Sequence, residues 1–168
     1  MYNINDVVVY GSQGVCRITD IGPLEMKGMD NKSYYTLSPL YQNSTIIYAP
    51  VDNPKTVLRP VSSPDQMQDL ISRVPEIPTI EVKNDRERES VYKAVIKTCD
   101  PGELLRLIKT ISQRRKDRLA SGKKRIIIDE KYCQIAEEQL YQEMAYVMEE
   151  NLDSMEEYFS EKVLKAYN

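Results

Sequence analysis

The chain contains no histidine and no tryptophan, and Phe159 is its only phenylalanine. Histidine is the commonest general acid–base and a frequent metal ligand. Without it there is no Ser–His or Cys–His pair to activate a nucleophile, and the expectation of an enzyme falls. Cysteine is sparse too. Cys16, Cys99 and Cys133 form no CxxC pair and have no histidine to complete a ligand set, which argues against zinc. No metal or other cofactor is expected. An odd cysteine count points to a reducing compartment. No apolar run approaches the roughly 20 residues that span a bilayer. Residues 1–6 have neither the basic nor the apolar stretch of a secretory signal. A cytoplasmic protein without a membrane partner is the expectation.

Glycine numbers only 6, yet two of them lie three apart in "DVVVYGSQGVCRI". A phosphate loop needs backbone N–H groups backed by a helix N-terminus. Gly14 is followed instead by "VCRI", a strand pattern, and neither GK[ST] nor GxGxxG is present. Gly11 and Gly14 therefore read as a positive-φ turn between paired strands.

What is present divides the 168 residues in two. The first 62 are β-rich. Val7 to Tyr10, Val15 to Ile21, "SYYTL", "TIIYA" and "VLRPV" are short β-branched or aromatic runs separated by turn formers such as Gly28, Asp30 and Asn31. Five short strands suggest a small barrel or sandwich. In residues 63–84, "SSPDQMQDLISRV" reads as a short helix capped by Ser63, and "PEIPTIEVKND" as an extended linker. Residues 85–168 are helical. Asp100 caps a helix that starts at Pro101, with Glu103 placed for a capping box. Leu104, Leu107, Ile108 and Ile111 form its apolar stripe. After a break at "LASGKK", with Ser121 as a candidate cap, Ile128, Tyr132, Ala136, Leu140 and Met144 repeat at helical spacing. Met155, Phe159, Val163 and Leu164 give a final short helix.

The net charge of −3 names no partner, but its distribution is uneven. Residues 106–125 hold nine basic side chains (Arg106, Lys109, Arg114, Arg115, Lys116, Arg118, Lys123, Lys124 and Arg125) against one acid, Asp117. Such a cluster suits phosphate, and it equally suits a solvated helix end. Beyond Asp129 the sign reverses, with Glu137, Glu138, Glu143, Glu149 and Glu150 among the acids. That face would turn away from nucleic acid. Tyr34, Tyr35 and Tyr48 lie on predicted strands, where alternate residues face outward.

The patterns "DVVVYGSQGVCRITDI", "SYYTLSP", "TIIYAPVDN" and "VLRPV" resemble the N-terminal module of the CarD/CdnL family of bacterial transcription regulators, shared with transcription-repair coupling factor. The helical part resembles the family more loosely, through "YKAVIK" and the turn at residues 121–125. The resemblance implies an α+β architecture, with a small Tudor/SH3-like β-barrel before an all-α domain. It implies a barrel that binds the β subunit of bacterial RNA polymerase, at positions matching Leu24, Glu25, Met26 and Tyr48. It also implies a helical domain that contacts promoter DNA and stabilises the open complex. Lys93, Lys97, Arg114, Arg115, Arg118, Lys123, Lys124 and Arg125 are the candidate phosphate contacts, which position without reading sequence. Family members carry a tryptophan wedge where this chain has Arg88, whose guanidinium could stack on a base or bond a phosphate. A monomer is expected. Two other readings stand beside this one. One is a protein-interaction adaptor with no DNA role. The other is an enzyme using Cys16 as nucleophile.

Overall fold

The structure, a computed structural model, describes residues 1–28, 31–52 and 55–165, without the side chains of 162–164. Asp30 of the expected turn, and the side chains of Val163 and Leu164, therefore lie outside the described residues. The chain divides into two compact units, Met1–Val61 and a second that begins at Ser62.

The first unit is an antiparallel sheet of β1 (Val7–Tyr10), β2 (Val15–Pro23), β3 (Ser33–Pro39), β4 (Ile47–Pro50) and β5 (Leu58–Pro60). Its order is β4-β3-β2-β1-β5. The ladder stays open among the described residues, so an antiparallel sheet with two edges stands where a barrel was expected. A 3-10 turn, Gly11–Gln13, joins β1 to β2, with Gly11 at φ 47° and Gly14 at φ 72°. A Cβ on Gly11 would lie 2.3 Å from Thr56 Cγ2, so the turn needs glycine for space as well as for φ. Tyr10 N donates to Gly14 O at 2.9 Å and Val15 continues directly as strand, which fits a hairpin and not an anion loop.

Alternation along the strands sends Val8, Cys16, Ile18, Tyr35, Leu37 and Ala49 into one core. Burying a side chain such as Leu37 contributes about 1.5–3 kcal/mol. The period-2 pattern of β2 breaks once. A bulge between Ile18 and Asp20 leaves Thr19 and Asp20 both exposed and returns Ile21 to the core side. Simple alternation would have carried the phase straight through.

The second unit contains α1 (Pro64–Ser72), α2 (Arg88–Thr98), α3 (Pro101–Ala120), α4 (Ile127–Met148) and α5 (Leu152–Tyr158), followed by a π-helical turn, Phe159–Leu164. Ser63 and Gln66 form a reciprocal capping box on α1. Asp100 accepts from Glu103 N at 2.9 Å and caps α3, while the Glu103 carboxylate faces Arg106 at 3.7 Å instead of completing a box. Ser121 is not the cap of α4. It ends α3, and α4 starts six residues later behind Ile126, with no side-chain cap. Tyr92, Leu104, Leu107, Ile108, Ile111, Leu140, Met144, Met155 and Phe159 are fully buried between the helices. Helix α1, expected within a linker, packs on α4 and belongs to this unit.

The segment after α1, expected as an extended linker, opens with a 3-10 turn at Val74–Glu76 and is laced along α3. Lys109 Nζ donates to the carbonyls of Val74, Pro75 and Ile77 at 2.8, 3.2 and 2.7 Å. Arg106 reaches those of Pro78 and Thr79, and Ile80 N donates to Thr110 Oγ1 at 2.8 Å. A segment without a sheet partner thus finds its hydrogen bonds on one helix face. Glu143, read as part of an exposed acidic face, is buried and accepts from Ser62 N and Oγ at 2.8 and 2.9 Å. No helix among the described residues is long and apolar enough to cross a membrane.

Candidate functional site

Two surfaces carry the predicted residues, one on each unit. On the sheet, β4 is an edge strand, paired only to β3 among the described residues. The register Tyr35↔Ala49 and Thr36↔Tyr48 sends Ala49 inward and Tyr48 outward, where Tyr48 is 41% exposed. Pro23, at the end of β2, pairs with Ser33, and Tyr34 pairs with Pro50. Leu24, Glu25 and Met26 therefore leave β2 at the same end of the sheet at which β4 finishes. Met26 is 55% exposed, Glu25 is exposed and Leu24 is half-buried. Ile46, just before β4, is also exposed and was missed in the sequence. Two successive isoleucines in an extended "TIIY" must face opposite ways, which is the signal that could have found it. The free edge of β4 presents main-chain donors and acceptors to a further strand.

Residues 2–62 match the CarD-like/TRCF RID domain, a stretch that ends at the boundary of the first compact unit. The N-terminal unit is similar to that domain over nearly its whole length. A RID domain is an RNA polymerase-interaction module, a protein-interaction domain in place of a catalytic one. A comparison with curated proteins gives no match. The thiol once weighed as a nucleophile lies inside the RID core: Cys16 is fully buried, and burial pushes its pKa up to about 11.

The basic residues of the helical unit separate into those held internally and those facing solvent. Arg114 Nε lies 2.8 Å from Asp129 Oδ2, and Asp129 is buried and also accepts from the Tyr92 hydroxyl at 3.1 Å. Arg115 makes a two-pronged pair with Glu130, both bonds 2.8 Å. Arg88 donates to Asp85 at 2.7 Å and to the Tyr92 hydroxyl at 3.5 Å, with only 14% of its side chain exposed. The hydrogen bond and charge of Arg88 hold the Asp85 carboxyl below its ordinary value. Burial raises the Tyr92 phenol. These groups knit α2, α3 and α4 together, so Arg88, Arg114 and Arg115 are occupied within the unit. Lys93 faces Glu89 at 3.6 Å on the exposed side of α2, and Lys97 is exposed in its last turn.

The remaining cations gather where α3 turns into α4. Gly122 at φ 72° ends α3 in a Schellman turn, with Lys123 N donating to Arg118 O at 2.9 Å and Gly122 N to Leu119 O at 3.1 Å. Arg118 Nε donates to Lys124 O at 2.9 Å and fixes the turn from the side. Lys123, Lys124 and Arg125 are exposed on it, and Arg125 has only a loose contact of 3.8 Å to Glu130. Beside them stand three apolar side chains that reach solvent, Leu119, Ile127 and Ile128. A cleft of about 460 Å³ runs from this turn past Arg118 and Arg114 to Thr79 and Ile80.

Proposed function

We propose that this chain is a non-catalytic transcription regulator. Its RID domain docks on the β subunit of RNA polymerase through the β4 edge and Leu24–Met26, and its helical unit touches promoter DNA and modulates open-complex stability. The observation that carries the reading is the pairing of the RID match with an apolar edge strand, bearing Tyr48, whose outer side pairs with no strand among the described residues. In this reading the RID sheet acts as a Tudor-like module and adds a strand to its partner, main-chain bonds supplying affinity and the outward side chains specificity. Lys123, Lys124 and Arg125 supply the phosphate contacts, assisted by Arg118 and by Lys93 and Lys97 on α2. Arg88, Arg114 and Arg115 act as struts behind that surface. The chain works as a cytoplasmic monomer, brought to the nucleoid by polymerase, and tethering turns weak DNA affinity into occupancy.

The test is co-elution of the native chain with RNA polymerase core on a sizing column, against the Met26→Glu/Tyr48→Glu variant. Co-elution lost only in the variant supports the docking edge. Failure of the native chain to co-elute would sink the reading. The adaptor alternative, with no DNA role, draws support from the internal pairing of Arg88, Arg114 and Arg115. A DNA titration separates the two. At about −0.9 per contact, Lys123, Lys124 and Arg125 together contribute about −2.7 to the log–log salt slope. Neutralising Lys123, Lys124 and Arg125 should remove most of it, and a native protein without salt-dependent DNA affinity favours the adaptor.

A further inference from the structure

The apolar stripe of α3 stops at Ile111. Beyond it, Gln113, Arg114, Asp117, Arg118 and Ser121 follow at steps of three and four residues and continue Thr110 along one helix face. The segment after α1 stands over this polar face as a wall. It is fixed there, with Ile80 N donating to Thr110 Oγ1 at 2.8 Å and Thr79 O accepting from Arg106 at 3.4 Å. Arg88, at the start of α2, and Lys123, at the tip of the α3–α4 hairpin, complete the lining. The result is a cleft of about 460 Å³, within the range of about 300–1,000 Å³ that small-molecule sites occupy.

Four cations line the cleft against one carboxylate, Asp117. Arg88 and Arg114 are largely spent, on Asp85 and Tyr92 and on Asp129. Arg118 gives its Nε to Lys124 O, and its two terminal nitrogens meet no acceptor among the described residues. Nor does the Lys123 ammonium. A guanidinium fork and an ammonium thus remain to take phosphate oxygens. Asp117 is exposed and accepts from Gln113 Nε2 at 3.0 Å through one oxygen, which leaves the other for a hydroxyl or amine. Ile80 and Val82, both half-buried, give the opposite wall an apolar surface. Inorganic phosphate would use only the cations and fill a fraction of the space. A ligand that carries phosphates, hydroxyl or amino donors and a flat ring uses all three surfaces.

We infer that this cleft is a binding site for a free nucleotide. Its phosphates lie on Arg118 and Lys123, a ribose or base donor meets Asp117, and the face of the base rests against Ile80 and Val82. The inference does not depend on the DNA reading. Where that reading holds, a bound nucleotide takes Arg118 and Lys123 away from the duplex, so nucleotide concentration sets how much of the basic turn DNA can use.

The experiment is isothermal titration of the full chain with ADP and GDP in magnesium-free buffer, beside adenosine, guanosine and pyrophosphate. At least one nucleotide should bind one-to-one, with its nucleoside and pyrophosphate each weaker by about tenfold or more. Lys123→Gln should weaken that nucleotide about tenfold, the order of one lost charge-assisted hydrogen bond. Val82→Trp, which fills the cleft without changing its charge, should abolish binding. Lys97→Gln removes an exposed cation that does not line the cleft, and should change nothing. Circular dichroism checks the fold of each variant, and Lys123→Gln removes no side-chain contact among the described residues. No binding of either nucleotide overturns the inference. So does pyrophosphate that binds as tightly as the nucleotide. Binding that survives in folded Val82→Trp, or that Lys97→Gln weakens as much as Lys123→Gln, also overturns it, since any surface anion would behave so. None of these outcomes bears on polymerase co-elution or on the salt-dependent titration with duplex.

Discussion

Arg114 separates a strut from a DNA contact, and replacing it with Met tests which it is. The substitution keeps most of the aliphatic stem and removes the charge beside Asp129. That carboxylate is 3% exposed, whereas the Arg114 side chain is 22% exposed. Breaking a buried pair from one side costs about 3–5 kcal/mol, because the other charge is left without compensation. Two features lower the figure here. Water reaches part of the arginine, and Arg114 Nε meets Asp129 at 2.8 Å without the alignment of a good hydrogen bond. The second contact, to Asp85 at 3.6 Å, faces a carboxylate that is 80% exposed and adds little. A loss of about 2–3 kcal/mol follows. With a urea m-value of about 2 kcal/mol/M, the unfolding midpoint of the helical unit falls by about 1–1.5 M, read by far-ultraviolet circular dichroism. Adding Asp129→Asn should return part of the loss, since the uncompensated charge is gone while Tyr92 keeps an acceptor. DNA affinity of the folded protein stays within about twofold, the change expected when no phosphate contact is lost. A midpoint that does not move, together with a clear loss of DNA affinity, would refute the assignment of Arg114 as a strut.

Gly11→Ala should lower the stability of the N-terminal unit by about 1–3 kcal/mol, through positive φ and the contact with Thr56, and Thr56→Ser should recover part of it; unfolding midpoints decide. Cys16 and Cys133 should resist a thiol reagent at pH 8 in the native protein, because burial pushes their pKa values to about 11 and about 12, and should react at once in denaturant; rapid native labelling would contradict the burial. Tyr92 has a folded pKa raised above its ordinary 10.0, by burial first and by the Asp129 charge as well. Its contribution to stability is thus fully present below pH 10 and lost as pH rises through the folded value. Tyr92→Phe should flatten the alkaline melting profile, and an unchanged profile would count against it.

Much of the fold could be read because its signals are local. The Gly11–Gly14 hairpin, the Ser63 and Asp100 caps and the stripe Leu104, Leu107, Ile108, Ile111 each lie within a few residues of what they determine. The bulge after Ile18 could not be read, since it depends on which residue of β3 stands opposite. The open sheet was hidden for the same reason, as closure depends on β4 meeting β5. The basic run was legible as a cluster but not as a site. Whether Arg114 and Arg115 are available is decided by Asp129 and Glu130, one helix away, and Lys109 is taken by carbonyls that no side-chain pattern announces. Ile127 stood outside the apolar stripe that begins at Ile128. Its exposure follows from where α4 begins, and that start has no polar cap to mark it.

The lacing of the segment after α1 onto α3 has a mechanical consequence. Arg106, Lys109 and Thr110 grip backbone carbonyls and an amide near the middle of a 20-residue helix, and the basic turn follows that helix's last residue. Between the grip and the turn lie about ten residues of uninterrupted helix, a spar about 15 Å long. A load applied at the tip travels down this spar, is shared on the way with Arg114 on Asp129 and Arg115 on Glu130, and arrives at main-chain hydrogen bonds. The reach of the tip beyond its anchorage is thus counted in helical residues. Inserting a turn into α3 would lengthen the arm, and no rearrangement of loops could do the same.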